Sequence, residues 1–158
     1  MRKIVTILTV FLFLASFALA AEVQGNASAF NHAEYLQTVT SGNKKTGHKV
    51  EGTLSFDSEA KSVQFLDKKE TPAFSIQYAS IRSLVYEQTS KPRYLDAILF
   101  SGLFLLTHEK KHFLTIQFTD ASGAGQFVIV HLDKRNVREA IAKASAETGM
   151  SVERTAEN

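Results

Sequence analysis

The sequence predicts an α+β domain: a mainly antiparallel sheet, strongly bent or rolled into a small barrel, closed by one C-terminal amphipathic helix. Three observations predict it. Apolar and polar residues alternate with period two in successive short segments from Val50 onward, the pattern of half-buried strands. Two further strand-like runs, Phe113 to Thr119 and Gln126 to Leu132, flank a turn of small residues at 120–125. After Asp133 the period changes to 3.6, and Val137, Ala140, Ile141, Ala144 and Thr148 fall on one helical face. Antiparallel strands followed by one helix bury their apolar faces most simply as a bent sheet with the helix over its open end.

Met1-Arg2-Lys3 is a short positive start, and Ile4 to Leu19 is apolar apart from Thr6, Thr9 and Ser16. Ala18-Leu19-Ala20 is a small-x-small cleavage site, so residues 1–20 read as a secretory signal rather than as part of the fold. The expectation is export, to a periplasm or outside the cell. With no cysteine in the 158 residues, lipidation, a disulfide framework and a thiol nucleophile are all excluded. Cleavage removes Arg2 and Lys3 from the 18 basic residues, leaving 16 against 16 acidic ones. A balanced exported chain lacks the basic footprint of a nucleic-acid binder.

Residues 21–47 are rich in Asn, Ser, Thr and Gly and read as a polar, partly mobile lead-in with at most one short docked element. A single domain follows over 48–150. Val50, Gly52, Leu54 and Phe56 share the buried face of its first strand. Asp57-Ser58-Glu59-Ala60-Lys61 is a hairpin loop, and Ser62 to Asp67 is the return strand. Pro72 breaks the ladder, Phe74, Ile76 and Tyr78 mark a third strand, Ala79-Ser80 a step, and Ile81 to Glu87 a fourth. Gln126 to Leu132 is nearly continuous in apolar residues, which predicts a central strand covered on both faces. Asp133 is the expected helix cap and Gly149 the terminator, with a frayed tail at 151–158.

This order of elements, the Phe74-Ser75-Ile76-Gln77-Tyr78-Ala79-Ser80-Ile81 step and the closing helix resemble the pleckstrin-homology-like barrels, including the bacterial PH-like and GRAM-like modules. The resemblance covers Lys49 to Gly149 and implies a non-catalytic module that docks lipids, peptides or proteins. Phosphoinositide-binding members carry several basic residues around the first hairpin. Here that loop holds two acids and one lysine, so the resemblance does not carry phosphoinositide recognition to this chain.

Three motifs point to chemistry. His108-Glu109-Lys110-Lys111-His112 spells H-E-x-x-H, which in a zinc protease sets two histidines on one helical face. Here it runs directly into a strand, where the four-residue spacing separates the histidines by roughly 13 Å. It reads as a solvated turn, with a zinc-dependent hydrolase as the alternative and no metal or cofactor expected. Gly42 to Lys49 approaches the P-loop spacing but lacks Lys-Ser/Thr after the second glycine, and Gly123-Ala124-Gly125 is a hairpin.

A fourth feature is the apolar run Ala97 to Leu106, too short to span a bilayer as a helix and without a period that hides one face. One reading places it in the core as a strand or helix. The other makes Ile98, Leu99, Phe100, Leu103, Phe104 and Leu105 a docking element for a membrane surface or protein partner, with Lys91, Arg93, Lys110 and Lys111 as a cationic collar. The second reading is the expectation, with an oligomer interface as a further alternative.

Overall fold

The computed structural model describes residues 27–41, 44–95 and 109–156. Eight strands form one sheet: β1 (Ala27–Ser41), β2 (Lys44–Asp57), β3 (Ser62–Asp67), β4 (Pro72–Gln77), β5 (Ile81–Thr89), β6 (Lys111–Thr119), β7 (Gly125–Leu132) and β8 (Val152–Ala156). A 3-10 turn at Tyr78–Ser80 joins β4 to β5, and helix α1 (Val137–Thr148) lies between β7 and β8. The strand order is β4-β3-β2-β1-β7-β6-β5-β8. Every neighbouring pair is antiparallel except β5 and β8, which run parallel.

The short step between β4 and β5 dictates the shape. These strands are six places apart in the sheet, roughly 29 Å if the sheet were flat. The stretch from Gln77 to Ile81 reaches at most about 14 Å. The sheet must therefore curl until its two halves face each other. Their side chains then meet in one cluster, with Phe56, Phe65 and Ile76 from the first half and Leu84, Ile116 and Val130 from the second. Ala140 and Ala144 of α1 belong to that cluster and are fully buried, their small side chains letting the helix sit close on the strands. Tyr35, Phe65 and Phe74 add ring contacts across β1, β3 and β4, with centroids 5.0–5.8 Å apart. Among the described residues the ladder nevertheless stays open, with β4 and β8 as its two edge strands. The bent-sheet form of the expectation stands and the closed barrel does not.

Residues 50–89 and 111–149 fold as read, with three differences. A 15-residue strand, β1, occupies most of the segment taken as a polar lead-in, and it is central, paired with both β2 and β7. Its period is broken by a bulge between Phe30 and Ala33, where His32 takes φ 59°. That irregularity hid the alternation. Asp133 does not cap α1. Its carboxylate accepts the Arg135 amide at 2.9 Å, in a turn that precedes the helix, and the cap position is Asn136. The tail contains β8, held by parallel pairing to β5. Gly149 ends α1 in the left-handed conformation, as expected.

Two local devices fix the register of the first half. Asp57 accepts the amides of Glu59 and Ala60 at the β2–β3 hairpin. Gly52 lets the backbone of β3 pass, because a Cβ there would lie 1.9 Å from the Leu66 carbonyl oxygen.

Candidate functional site

The site begins where β5 and β6 part. They are paired through Gln88↔His112 and Thr89↔Lys111. Two strands in such register need only a turn of two to five residues, yet residues 90–110 intervene. The chain leaving β5 folds back over the convex face of the sheet. Thr89 Oγ1 accepts the Lys91 amide at 3.1 Å, and Pro92 is buried. The Arg93 amide donates to Glu87, its Nε pairs with the same carboxylate at 3.2 Å, and its Nη2 reaches Glu153 and Thr155 of β8. Tyr94 accepts from Gln117 Nε2 at 2.7 Å and packs on Phe127. Leu95 closes a second apolar cluster with Leu36, Phe113 and Ile129. β7 is thus covered on both faces, as its composition predicts.

Of the expected docking residues, Ile98, Leu99, Phe100, Leu103, Phe104 and Leu105 lie outside the described residues, as does the signal segment. Lys91 is exposed beside the β5 end, and Lys110 and Lys111 stand at the β6 end. Arg93 is different: two carboxylates hold it, and it ties residues 90–95 to β5 and β8.

Next to Lys110 and Lys111 the register of β6 with β7 brings in a second set of polar residues, because Phe113 faces His131 and His112 faces Leu132. The result is a cleft of about 400 Å³. Glu109, Lys110, Lys111 and His112 line one side, and His131, Asp133, Lys134 and Arg135 the other. Both imidazoles are anchored. His112 Nδ1 lies 2.7 Å from the Tyr86 hydroxyl. His131 Nδ1 donates to Glu34 at 3.1 Å, since a carboxylate only accepts. Lys49 reaches the same Glu34 oxygen at 3.3 Å. The bond from His131, aided by Lys49, holds the Glu34 carboxyl down at about 2 against the opposing effect of burial. Burial, followed by the charges of His131 and Lys134, pushes His112 below the usual imidazole value. Asp133 is held well below the ordinary carboxylate range by its bonds from Arg135.

The sequence singled out Lys110 and Lys111 but not Lys134 or Arg135. Their sequence signal is a dibasic pair one residue beyond a strand, after Asp133. Tertiary pairing of β6 with β7 is what makes them neighbours of Lys110 and Lys111.

The other motifs resolve locally. His108 lies outside the described residues, but Lys111 and His112 belong to β6, so no single helix runs through H-E-K-K-H. His131, on the neighbouring strand, has its Nδ1 committed to Glu34. Among the described residues no group of three His, Asp or Glu side chains is arranged to hold a metal ion. Lys44 to Lys49 lie in β2, with Ser41 opposite Lys44, so the P-loop-like run is part of the β1–β2 hairpin. Gly123 has φ 85° in the β6–β7 turn, where Asp120 accepts the amides of Ser122 and Ala124. Among the described residues no helix is long and apolar enough to cross a membrane. No protein-family model matches the chain, and no curated protein matches it in sequence.

Proposed function

We propose that this protein is an exported, non-catalytic docking module of PH-like type that associates with a membrane surface through residues 97–106. The observation that carries the reading is the register Thr89↔Lys111. The sheet closes its β5–β6 pair without help from residues 90–110, so that segment is an addition to the hairpin rather than a requirement of it. Within it the sequence Ala97-Ile98-Leu99-Phe100-Ser101-Gly102-Leu103-Phe104-Leu105-Leu106 carries no charge. Each large apolar side chain transferred out of water contributes roughly 1.5–3 kcal/mol. Lys91, Lys110 and Lys111 add attraction to an anionic surface, about 1 kcal/mol each near the headgroups. The PH-like assignment draws on the order of elements and on the helix seated in the curl of the sheet. The open ladder and the added β8 are its departures from that pattern.

The test replaces Leu99, Phe100, Phe104 and Leu105 with Ser in the chain beginning at Ala21. We expect an unchanged circular dichroism spectrum and melting temperature, with co-sedimentation on phosphatidylcholine–phosphatidylglycerol vesicles lost. A collapsed fold assigns the segment to the core. An intact fold with undiminished vesicle binding also ends the proposal.

A further inference from the structure

We infer that the outer edge of β4 is a self-recognition surface, to which a second copy of this chain adds its own β4 antiparallel, across a two-fold axis centred on Ser75. The pairing needs neither a membrane nor residues 97–106.

The backbone of β4 has one side engaged and one side open. Among the described residues β4 pairs with β3 alone, through Ser62↔Gln77, Val63↔Ile76, Gln64↔Ser75 and Phe65↔Phe74. At the next step of that register the Tyr78 amide donates to the Lys61 carbonyl at 2.8 Å. Hydrogen-bonded pairs alternate along an antiparallel ladder, so Ile76 and Phe74 also turn their peptide groups toward β3. Ser75 and Gln77 turn theirs outward, with Ala73 beyond them at the bulge. All three residues are exposed. The Gln77 carbonyl receives the Ser80 hydroxyl, whereas among the described residues nothing is bonded to the outward amide and carbonyl of Ser75.

The two edges of the sheet differ in charge. β8 contains Glu153 and Arg154, and Arg93 reaches across to Glu153 and Thr155. Charged side chains on an edge oppose the addition of a further strand. Pro72-Ala73-Phe74-Ser75-Ile76-Gln77 has no charged residue, so β4 lacks that guard.

The occupant follows from self-complementarity. With the axis on Ser75, the two copies of Ser75 exchange both outward bonds, and each Gln77 faces the second copy's Ala73. On the core face Phe74 stands opposite the second copy's Ile76, twice by symmetry. Phe74 is only half-buried in one copy, so this aromatic–aliphatic pair covers the open part of its ring and continues the core. On the other face only Ala, Ser and Gln meet, and no like charges are opposed. Pro72, which has no amide to give, lies outside the residues whose outward groups are used. An axis on Ala73 or Gln77 would run half of each strand past the end of its partner. Pairing consumes both β4 edges and leaves the two charged β8 edges outermost, which closes the assembly at two copies.

The experiment is sedimentation of the chain beginning at Ala21, which holds every described element. A contact of six-residue strands lies at the small, weak end of interfaces, so the series runs from about 1 μM to 1 mM. Wild type is expected to pass from monomer to dimer and no further. Ser75→Pro deletes an amide that points away from β3, and Ser75→Lys places a charge on the edge. Both are expected to keep the circular dichroism spectrum and to weaken dimerisation by at least about tenfold. Glu139→Lys, at an exposed position of α1, adds positive charge away from the edge and is expected to change nothing. The chain has no cysteine, so single-cysteine variants report the register. Ser75→Cys sets its Cα about 5.5 Å from its counterpart, within disulfide range. Ala73→Cys and Gln77→Cys stand about 13 Å from theirs. Mild oxidation is expected to cross-link the first and not the other two. A wild type that stays monomeric throughout the series overturns the proposal. So does a dimer undisturbed by both Ser75→Pro and Ser75→Lys, or equal cross-linking of the three cysteine variants.

Discussion

Glu34 joins three strands through one carboxylate oxygen, which receives His131 of β7 and Lys49 of β2 from its own place on β1. Its carboxyl titrates near 2 in the folded chain against 4.5 for an ordinary glutamate. A depressed carboxyl contributes stability that is complete above the unfolded value and is lost as pH falls through the folded one. We expect the melting temperature to decline between about pH 4.5 and 2, and Glu34→Gln to flatten that decline while lowering stability at neutral pH. Parallel declines in the two proteins would show that the network adds nothing. Gly52 makes a sharper case. A methyl group there meets main chain rather than a flexible side chain, so β2 or β3 must move. Gly52→Ala is expected to cost about 3 kcal/mol in urea unfolding. A change under about 0.5 kcal/mol, the range of neutral surface substitutions, would contradict the close approach.

Among the elements, the chain from Thr89 to Leu95 is the one whose role changed most between sequence and structure. Arg93 was expected in a cationic collar, by position alone. In the fold it bridges the buried Glu87 to the exposed Glu153 and Thr155, and so fastens both the 90–95 segment and the edge strand β8. Arg93→Ala strands the Glu87 carboxylate without its cation. Half-exposure of Arg93 moderates the effect, which we place at about 2 kcal/mol. Hydrogen exchange should accelerate first in β8, which among the described residues is paired only to β5. Uniform acceleration over all strands would mean that the pair acts on global stability and not on the strap. β8 itself was illegible in the sequence because Val152 and Ala156 are the only apolar residues among its five, and Val152 is packed against the core.

For the whole molecule, the alternation in β2, β3 and β4, the strand at Ile81 to Glu87, the two-faced burial of β7 and the helical stripe were all readable, because each is a local pattern that tertiary packing then obeyed. β1 was not, since its bulge shifts the apolar face between Phe30 and Ala33. The curl of the sheet was readable only in part. A step at Ala79-Ser80 is visible in the sequence, but its force comes from the strand order, which places β4 and β5 near opposite ends of the ladder. The same holds for the cleft. Lys110 and Lys111 stand out beside an apolar run, whereas Lys134 and Arg135 join them only through long-range register.

The pairing of β1 with β7 has a kinetic corollary. Glu34 and His131 are 97 residues apart in the chain, so the central seam cannot zip until the last third has been synthesised. The entropy of so large a closure must be met before any bond in it repays, which sets refolding in the milliseconds-to-seconds regime of non-local β topologies. On the export reading proposed above, such tardiness would keep the chain pliable until it has crossed the membrane.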